Sequence, residues 1–256
     1  MRVIAFVNQK GGVGKTTACQ NIGAGLSNCG FKCLLIDLDP QSSLSIGYGF
    51  TNIDAQDVTT YEILKGADIN AAIKPKKDNL DILPTDLRLS GAELELASIP
   101  GREMLLKEAL EKLNNAYDYV LIDCGPSLNI LTLMALTASN EVIIPLELQY
   151  YALNGLAMLQ DTISLVKKRM NPGLEVGGLI ATFYDSRRNL DKAIIEAVDA
   201  ALPGKRFETM LTQNTKVAEA PSMGLDIFEY DPKGKGAAQY KELVDELIRH
   251  ETTEKR

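Results

Sequence analysis

The chain has 256 residues, a formal net charge of −7, 45% hydrophobic residues and 24% charged residues. These are ordinary values for a globular protein, and they exclude a disordered, fibrous or collagen-like chain. The acidic balance also argues against a constitutive, tight nucleic-acid binder, so any DNA binding must be local or switched.

Six short apolar runs predict strands that are buried on both faces, because they do not alternate with polar residues. They cover residues 3–7, 33–36, 80–83, 119–122, 141–145 and 178–181. Helical spacing between them predicts helices over residues 16–28, 102–115, 153–170 and 240–248. The alternation indicates an α/β fold, with a doubly wound, mostly parallel sheet and helices on both faces. Functional residues of such folds follow the carboxyl ends of the strands.

The loop after the first predicted strand reads NQKGGVGKTT, over residues 8–17. It fits the phosphate-loop pattern G-x-x-x-x-G-K-[ST] except that Gln9 replaces the first glycine. The Lys15 ammonium can reach the β- and γ-phosphates, and the Thr16 hydroxyl can hold Mg²⁺. A glycine-rich turn before an amphipathic helix is the alternative, and the strand-loop-helix context favours the phosphate loop. Lys10 is a second cation here, or else a solvated loop lysine.

Three aspartates follow predicted strands. Asp37 and Asp39 lie two residues apart after the second run, so they face the same side, and Pro40 ends that strand. Asp123 follows four apolar residues, which is the usual position of a Mg²⁺-holding carboxylate opposite a phosphate loop. Each aspartate could instead cap a helix or open a turn. Together with the loop, they predict a nucleoside triphosphatase that uses Mg²⁺.

Few residues support a metal centre or a membrane segment. Four cysteines form no C-x-x-C pair and His250 is the only histidine, so a zinc site is not supported. Reduced, mostly buried thiols are typical of a cytoplasmic protein. The apolar N-terminal run is too short for a signal peptide, and no run approaches the ~18 apolar residues of a membrane span. We therefore expect no membrane partner.

The motifs KGGVGKTT, DLDPQ and VLIDC resemble those of the deviant Walker A ATPases, the ParA/MinD superfamily. Four further segments, LDILP, YYAL, YDSR and EAPS, resemble the ParA/Soj chromosome and plasmid partition ATPases. The matches come in order along nearly the whole chain. The resemblance implies one P-loop ATPase domain over residues 1–256, with ATP and Mg²⁺ as cofactors.

The resemblance assigns a role to each site residue. It implies that Lys10 reaches the partner's phosphates across a nucleotide-sandwich dimer, where Gly11 allows close approach. Asp39 matches the residue that orients the attacking water, Asp123 the Mg²⁺-holding aspartate, and Asn214 a loop near the adenine. The catalytic set is then Lys10, Lys15 and Asp39, and the metal set is Thr16 and Asp123. The remaining nucleotide contacts are Gly11, Gly12, Val13, Gly14, Thr17 and Asn214.

The family also implies an ATP-dependent homodimer that binds DNA nonspecifically through Arg187 and Lys216. A ParB-type centromere-binding or adaptor protein would stimulate slow hydrolysis and release the DNA, so that a chromosome or plasmid is segregated. The protein would be cytoplasmic and associated with the nucleoid when ATP is bound.

Several positions depart from the family pattern. Gly125 stands where proline is usual, and Glu147 and Gln149 are exchanged relative to the usual Gln-x-Glu order. Gln213 and Lys216 replace two arginines of the loop before the EAPS motif. The departures leave the expected ATP chemistry unchanged and bear on DNA affinity and partner choice.

Other functions use the same fold. ParA-like positioning of a protein cargo stays open. A MinD-like membrane ATPase would need a C-terminal amphipathic helix with a basic face, whereas the last predicted helix is mixed in charge. A metal-cluster carrier would need cysteines poised at a dimer axis, and only Cys124 is a candidate. A biosynthetic ligase would couple ATP turnover to a small substrate and not respond to DNA.

Overall fold

A computed structural model describes residues 1–54 and 56–254. Within them, seven strands form one sheet in the order β3-β4-β2-β5-β1-β6-β7. All neighbours pair in parallel except β3 and β4. The strands are β1 (Arg2–Phe6), β2 (Cys33–Leu38), β3 (Lys74–Lys77), β4 (Leu80–Leu83), β5 (Tyr119–Cys124), β6 (Glu141–Glu147) and β7 (Glu175–Thr182).

The described helices cover both faces of the sheet. They are α1 (Lys15–Asn28), α2 (Ser43–Gly47), α3 (Thr60–Leu64), α4 (Ile69–Ala72), α5 (Leu89–Glu95), α6 (Leu105–Leu110), α7 (Ile130–Ala138), α8 (Ala152–Arg169), α9 (Asn189–Ala201), α10 (Thr215–Glu219), α11 (Ile227–Tyr230) and α12 (Lys235–Glu254). Two 3₁₀ turns, Arg102–Met104 and Ala220–Met223, precede α6 and α11. In the described part of the chain, no helix is both long and apolar enough to cross a bilayer.

Two hydrophobic clusters form the core, one on each face of the sheet. Val3 and Ala5 of β1 point into the first cluster, together with residues of α6, α7 and α8. Ile4 and Phe6 point into the second, where α1 and α12 pack. Because successive strand residues face opposite ways, a strand buried on both sides must be apolar throughout. The predicted doubly wound α/β fold is confirmed.

All six predicted strands are present, and one strand is not predicted. The unpredicted strand β3 contains three lysines and Pro75, so it has no apolar signal. Charge and proline are typical of an edge strand. It pairs antiparallel with β4, and the Lys76 Nζ donates to the Gly224 carbonyl at 2.8 Å. The Lys77 Nζ forms an ion pair with buried Asp226 at 2.6 Å. Tertiary contacts therefore hold this strand.

The helix predicted over residues 102–115 is wrong at both ends. Its first turn is the 3₁₀ segment Arg102–Met104, and α6 ends at Leu110. The apolar stripe continues to Leu113, which packs against the core without being helical. Hydrophobic spacing marks the residues that pack, and it does not fix where helical hydrogen bonds end.

One close contact on β7 tests the packing of the second cluster. A methyl group on Gly178 would overlap the ring of Phe207, which is 1% exposed and stacked against His250. Gly178→Ala is therefore expected to lower the free energy of unfolding by about 1–3 kcal/mol in urea denaturation, because a confined ring must move.

Gly155→Ala is the matched control. A methyl group at Gly155, inside α8, meets no atom within 4 Å. It should raise the free energy of unfolding by up to about 1 kcal/mol, because alanine favours a helix. Equal stability of the two variants would contradict the packing described for Gly178.

Candidate functional site

The loop between β1 and α1 folds as the glycine pattern predicts. Gly12 and Gly14 have φ values of 74° and 88°, a region that strains other residues. The carbonyl of buried Val13, between them, accepts a hydrogen bond from the Thr182 hydroxyl at 3.0 Å. A methyl group on Gly11 would lie 3.8 Å from Pro126. The loop is thus held against the end of β7 by a hydrogen bond, and Gly11 lies close to the segment that follows β5.

Lys15 is the first residue of α1, directly after this loop, and it is 6% exposed. Its Nζ donates to the Lys10 carbonyl at 3.1 Å. Burial lowers the pKa of Lys15, and the nearby Asp123 carboxylate is the largest influence that opposes the shift. A phosphate oxygen would be a stronger acceptor than this carbonyl, because it brings a full negative charge to the buried ammonium and the carbonyl is neutral. The loop can therefore exchange its internal contact for an anion.

Asp37 is fully buried at the end of β2, where it supports the fold. Its Oδ2 accepts from the Ser45 amide at 2.8 Å and from the Ser45 hydroxyl at 2.7 Å, in the first turns of α2. Ser45 Oγ in turn accepts from the Thr85 amide at 3.0 Å. Burial raises the pKa of Asp37 to about 6, although the Ser45 hydrogen bonds oppose this. The carboxylate thus satisfies the Ser45 amide of α2 from the end of β2.

Asp123 differs from Asp37 because the surrounding residues do not satisfy the hydrogen-bonding capacity of its carboxylate. It lies opposite Asp37 in the β2–β5 register and is fully buried. Neither carboxylate oxygen has a hydrogen-bond partner of acceptable geometry among the described residues. Burial, and then the charge of Asp37, raise the pKa of Asp123 well above its usual value, while the Thr16 hydroxyl lowers it.

A divalent cation beside Asp123 would supply the missing partner. Thr16 provides a second oxygen, and both lie where a phosphate loop holds Mg²⁺. Within residues 1–54 and 56–254, no cluster of three His, Cys, Asp or Glu side chains forms a protein-only metal site. Mg²⁺ in proteins is commonly bound by one or two side chains together with substrate phosphates. The residues present therefore fit Mg²⁺ carried by a nucleotide.

Asp39 reaches the cavity that contains the loop, and it is 8% exposed. The cavity measures about 440 Å³ and is also lined by Lys15 and Thr16. Asp39 Oδ1 accepts from the Gln41 amide at 3.0 Å. The position of a Cβ on Gly125 lies 3.2 Å from the same oxygen, so glycine leaves space beside the carboxylate. Asp39 thus presents an acceptor to the phosphate side of the cavity.

Lys10 lies at the surface of the loop, and its side chain is 47% exposed. Its Nζ donates to Glu147 Oε2 at 2.6 Å and to Gln149 Oε1. The Gln149 amide also donates to Glu147 Oε1, so the three side chains form a closed ring of hydrogen bonds. These acceptors are the two exchanged positions of the family pattern. The role of Lys10 in a second subunit stays a prediction.

A smaller cavity of about 120 Å³ adjoins the loop on the side of α10 and α12. Asn214 lines it, and its Oδ1 caps α10 by accepting from the Lys216 amide at 2.9 Å. Gln239 lines the same cavity; its Nε2 donates to the Met210 carbonyl at 2.8 Å, and its Oε1 accepts from the Thr212 hydroxyl at 3.0 Å. The location agrees with a base-side pocket, whose occupant stays a prediction.

The two residues predicted to bind DNA lie on the surface, and each has an acidic neighbour. Arg187 pairs with Asp185 at 2.7 Å, and its hydrogen bonds hold the pKa of that carboxyl well below its usual range. Lys216 pairs with Glu219 at 3.0 Å. Exposed pairs contribute only about 0–1 kcal/mol, so both cations can exchange these partners for phosphates. Arg188 lines an open cavity with Arg187.

Some lining residues were not predicted. Phe183 and Gln239 line the base-side cavity and carry no motif. Phe183 lies two residues beyond the strand predicted over residues 178–181, so its place near a carboxyl end was a usable signal. Gln239 lies inside α12, and its part in the cavity depends on contacts between distant segments, which no local pattern reveals.

Comparisons with known proteins identify relatives along almost the whole chain. A family model described as an AAA domain matches residues 1–176. The sporulation initiation inhibitor protein Soj of Bacillus subtilis is 42% identical over 96% of this chain and 98% of its own. The chromosome-partitioning ATPase Soj of Treponema pallidum is 43% identical over 96% of this chain and 97% of its own.

A solved structure agrees in fold. Cobyrinic acid a,c-diamide synthase from Mycobacterium smegmatis, with bound ADP and magnesium, has a TM-score of 0.84 and 37% identity over 98% of this chain and 96% of its own. Its name differs from those of the sequence relatives, while its fold is the same. Identity above 40% along the full length of two Soj proteins decides the family. The chain belongs to the ParA/Soj family of partition ATPases.

Proposed function

We propose that this chain is a partition ATPase in which Mg²⁺-ATP drives formation of a sandwich dimer. The dimer binds DNA nonspecifically, and slow hydrolysis stimulated by a ParB-type partner releases it. The observation that carries the proposal is the buried Asp123 carboxylate, which lies next to Thr16 and the phosphate loop. Neither of its oxygens has a hydrogen-bond partner of acceptable geometry among the described residues. A fold that leaves such a carboxylate unpaired is suited to a ligand that brings a cation.

ATP and Mg²⁺ are the cofactors. The structural relative from Mycobacterium smegmatis has also been solved with an ATP analogue and magnesium. In this chain, the Lys15 ammonium and the loop amides would hold the phosphates. Bound Mg²⁺ would neutralise phosphate charge, with Thr16 and Asp123 as its protein partners. Asp39 would accept a hydrogen bond from the attacking water and orient it. Catalysis is then mainly positioning and charge neutralisation.

The dimer is supported by the surroundings of Lys10. Its ring with Glu147 and Gln149 is half-exposed, so a competing phosphate can displace it at low cost. Lys15 already serves the loop of its own chain, which leaves Lys10 for a second nucleotide. Gly11 presents no side chain where the two loops would approach.

DNA binding is supported by Arg187 and Lys216 and opposed by the net charge of −7. Dimerisation doubles the local cations on one surface while the acidic remainder faces away. Such contacts to phosphates carry no base readout. The logarithm of the DNA-binding constant should fall linearly with the logarithm of the salt concentration, with a slope of about −0.9 per phosphate contacted.

The alternative functions can be distinguished by the molecule to which the ATPase responds. A protein-cargo ATPase would dimerise with ATP and be stimulated by an adaptor whose cargo is a protein assembly. A membrane ATPase would bind anionic vesicles with ATP. A biosynthetic ligase, as the name of the Mycobacterium smegmatis relative suggests for that protein, would turn over ATP only with its small substrate. The greater identity to Soj proteins favours partition.

Dimerisation tests the proposal directly. Asp39→Ala is expected to bind ATP and accumulate as dimer in sedimentation with Mg²⁺-ATP, because the phosphate contacts remain. Its hydrolysis should fall by about a hundredfold, since the water is no longer oriented. Lys10→Ala should stay monomeric under the same conditions. A monomeric Asp39→Ala at saturating ATP would contradict the sandwich dimer.

DNA binding is tested by Arg187→Glu in a gel-shift assay over a salt series. The variant is expected to lose the shift seen with ATP, because the charge reversal repels phosphates, and to keep ATP-dependent dimerisation. Arg169→Glu is the matched control, since Arg169 is exposed on α8 and does not line the open cavity that contains Arg187 and Arg188. If the wild type binds DNA equally well with ADP and with ATP, DNA binding is not switched by the nucleotide. That result would favour a protein-cargo or a membrane ATPase.

Asp123→Asn tests the cost of the unpaired carboxylate. Because the folded carboxyl binds its proton more tightly than the unfolded one, the wild type loses stability as pH rises above about 3.9. The asparagine variant is free of this loss, so without nucleotide its Tm at neutral pH should be higher, by about 2–4 °C for each kcal/mol of stability gained. The gain should shrink as pH approaches about 4.

Mg²⁺-ATP should raise the Tm of the wild type but not that of Asp123→Asn, because the variant lacks the anionic ligand. Asp161→Asn, on the exposed side of α8, is the control and should change the free energy of unfolding by less than about 0.5 kcal/mol. A Tm for Asp123→Asn below that of the wild type at neutral pH would contradict the account of this carboxylate.

A further inference from the structure

Phe183 follows β7 directly and has an unusual backbone conformation. Its φ is +55°, in the left-handed region. For a bulky aromatic residue this is an outlier, because the Cβ crowds the backbone. Strained residues of this kind persist only where their neighbours hold them, and they cluster at ligand sites.

Both neighbours of Phe183 are held by tertiary hydrogen bonds. On one side, the Thr182 hydroxyl donates to the Val13 carbonyl of the phosphate loop at 3.0 Å. On the other, the Tyr184 amide donates to the Leu211 carbonyl at 2.9 Å. The residue between these anchors therefore cannot relax without loss of one of them. Although held in this way, Phe183 remains 38% exposed, so part of its surface stays open to the cavities that it lines.

Three cavities meet at Phe183. It lines the phosphate-loop cavity with Lys15, the base-side cavity with Asn214, and the open cavity that contains Arg187 and Arg188. A nucleotide with its phosphates in the first cavity and its base in the second must pass Phe183 at the sugar. Aromatic rings readily pack against nucleotide bases and sugars. The same residue borders the arginine segment.

We infer that Phe183 is a positioning residue that packs against the sugar and base of the bound nucleotide and thereby couples nucleotide occupancy to the placement of the Arg187–Arg188 segment. The inference rests on the proposed ATP site and adds a specificity-determining contact to it. Asp185 lies between Phe183 and Arg187 and pairs with both arginines, at 2.7 and 3.8 Å. A shift of the ring would therefore be passed along a short stretch of chain to both cations.

The test compares two ligands that differ only in what Phe183 would contact. Affinities of Mg²⁺-ATP and of Mg²⁺-tripolyphosphate, which lacks sugar and base, are measured by calorimetry. Phe183→Ala is expected to weaken ATP binding about tenfold and leave tripolyphosphate binding within about twofold. Phe183→Tyr keeps the ring and should bind ATP like the wild type. A merely structural role would weaken both ligands together.

Phe183→Gly separates the ring from the backbone strain. Glycine tolerates a positive φ, so this variant should fold even if Phe183→Ala does not. It should show the same selective loss of ATP affinity. Unchanged ATP affinity in either truncation, or an equal loss of ATP and tripolyphosphate affinity, would overturn the inference.

Hydrogen exchange tests the coupling without requiring DNA. Addition of Mg²⁺-ATP is expected to slow exchange of the amides of residues 184–188 in the wild type and in Phe183→Tyr, and not in Phe183→Gly at saturating ATP. Equal protection in all three would contradict the coupling. A wild type that binds neither ATP nor tripolyphosphate would instead overturn the proposed function itself.

Discussion

The arrangement depends on one electrostatic constraint, the excess of buried carboxylates over buried cations at the carboxyl edge of the sheet. Asp37, Asp39 and Asp123 meet there with a single buried lysine, Lys15. Ser45 satisfies Asp37, and the Gln41 amide satisfies part of Asp39. Among the described residues, Asp123 has no hydrogen-bond partner of acceptable geometry, although the Thr16 hydroxyl lies near enough to lower its pKa. Burying an unpaired charge costs several kcal/mol, so the fold gives up stability at this position.

That constraint explains why the ligand should be a nucleotide bound together with Mg²⁺. A triphosphate without a cation would add negative charge beside unpaired carboxylates. A free cation would find two protein ligands at this place in the described chain, the Thr16 hydroxyl and the Asp123 carboxylate. The triphosphate and Mg²⁺ therefore favour each other's binding. Mg²⁺ neutralises the Asp123 carboxylate, and the phosphates complete the coordination of Mg²⁺. The remaining lysine, Lys10, is kept outside by Glu147 and Gln149.

The phosphate loop and the aspartates could be predicted because their signals are local. Each lies directly after an apolar run, and parallel strands bring such positions to one edge. The partners of Lys10 could not be predicted, because Glu147 and Gln149 meet it only through the pairing of β1 with β6. Strand β3 was missed for a related reason, since its lysines are held by the segment around Asp226. Contacts between distant segments leave no periodic trace.

The central claim is most directly tested by the dependence of ATP binding on Mg²⁺, measured with a fluorescent ATP analogue in buffers with and without the ion. The account predicts that removal of Mg²⁺ weakens binding to the wild type by at least about tenfold, which corresponds to about 1.4 kcal/mol. Lys15→Ala should bind no nucleotide in either buffer. ATP binding by the wild type that is equally tight without Mg²⁺ would contradict the account, because Asp123 would then face a triphosphate with no cation between them.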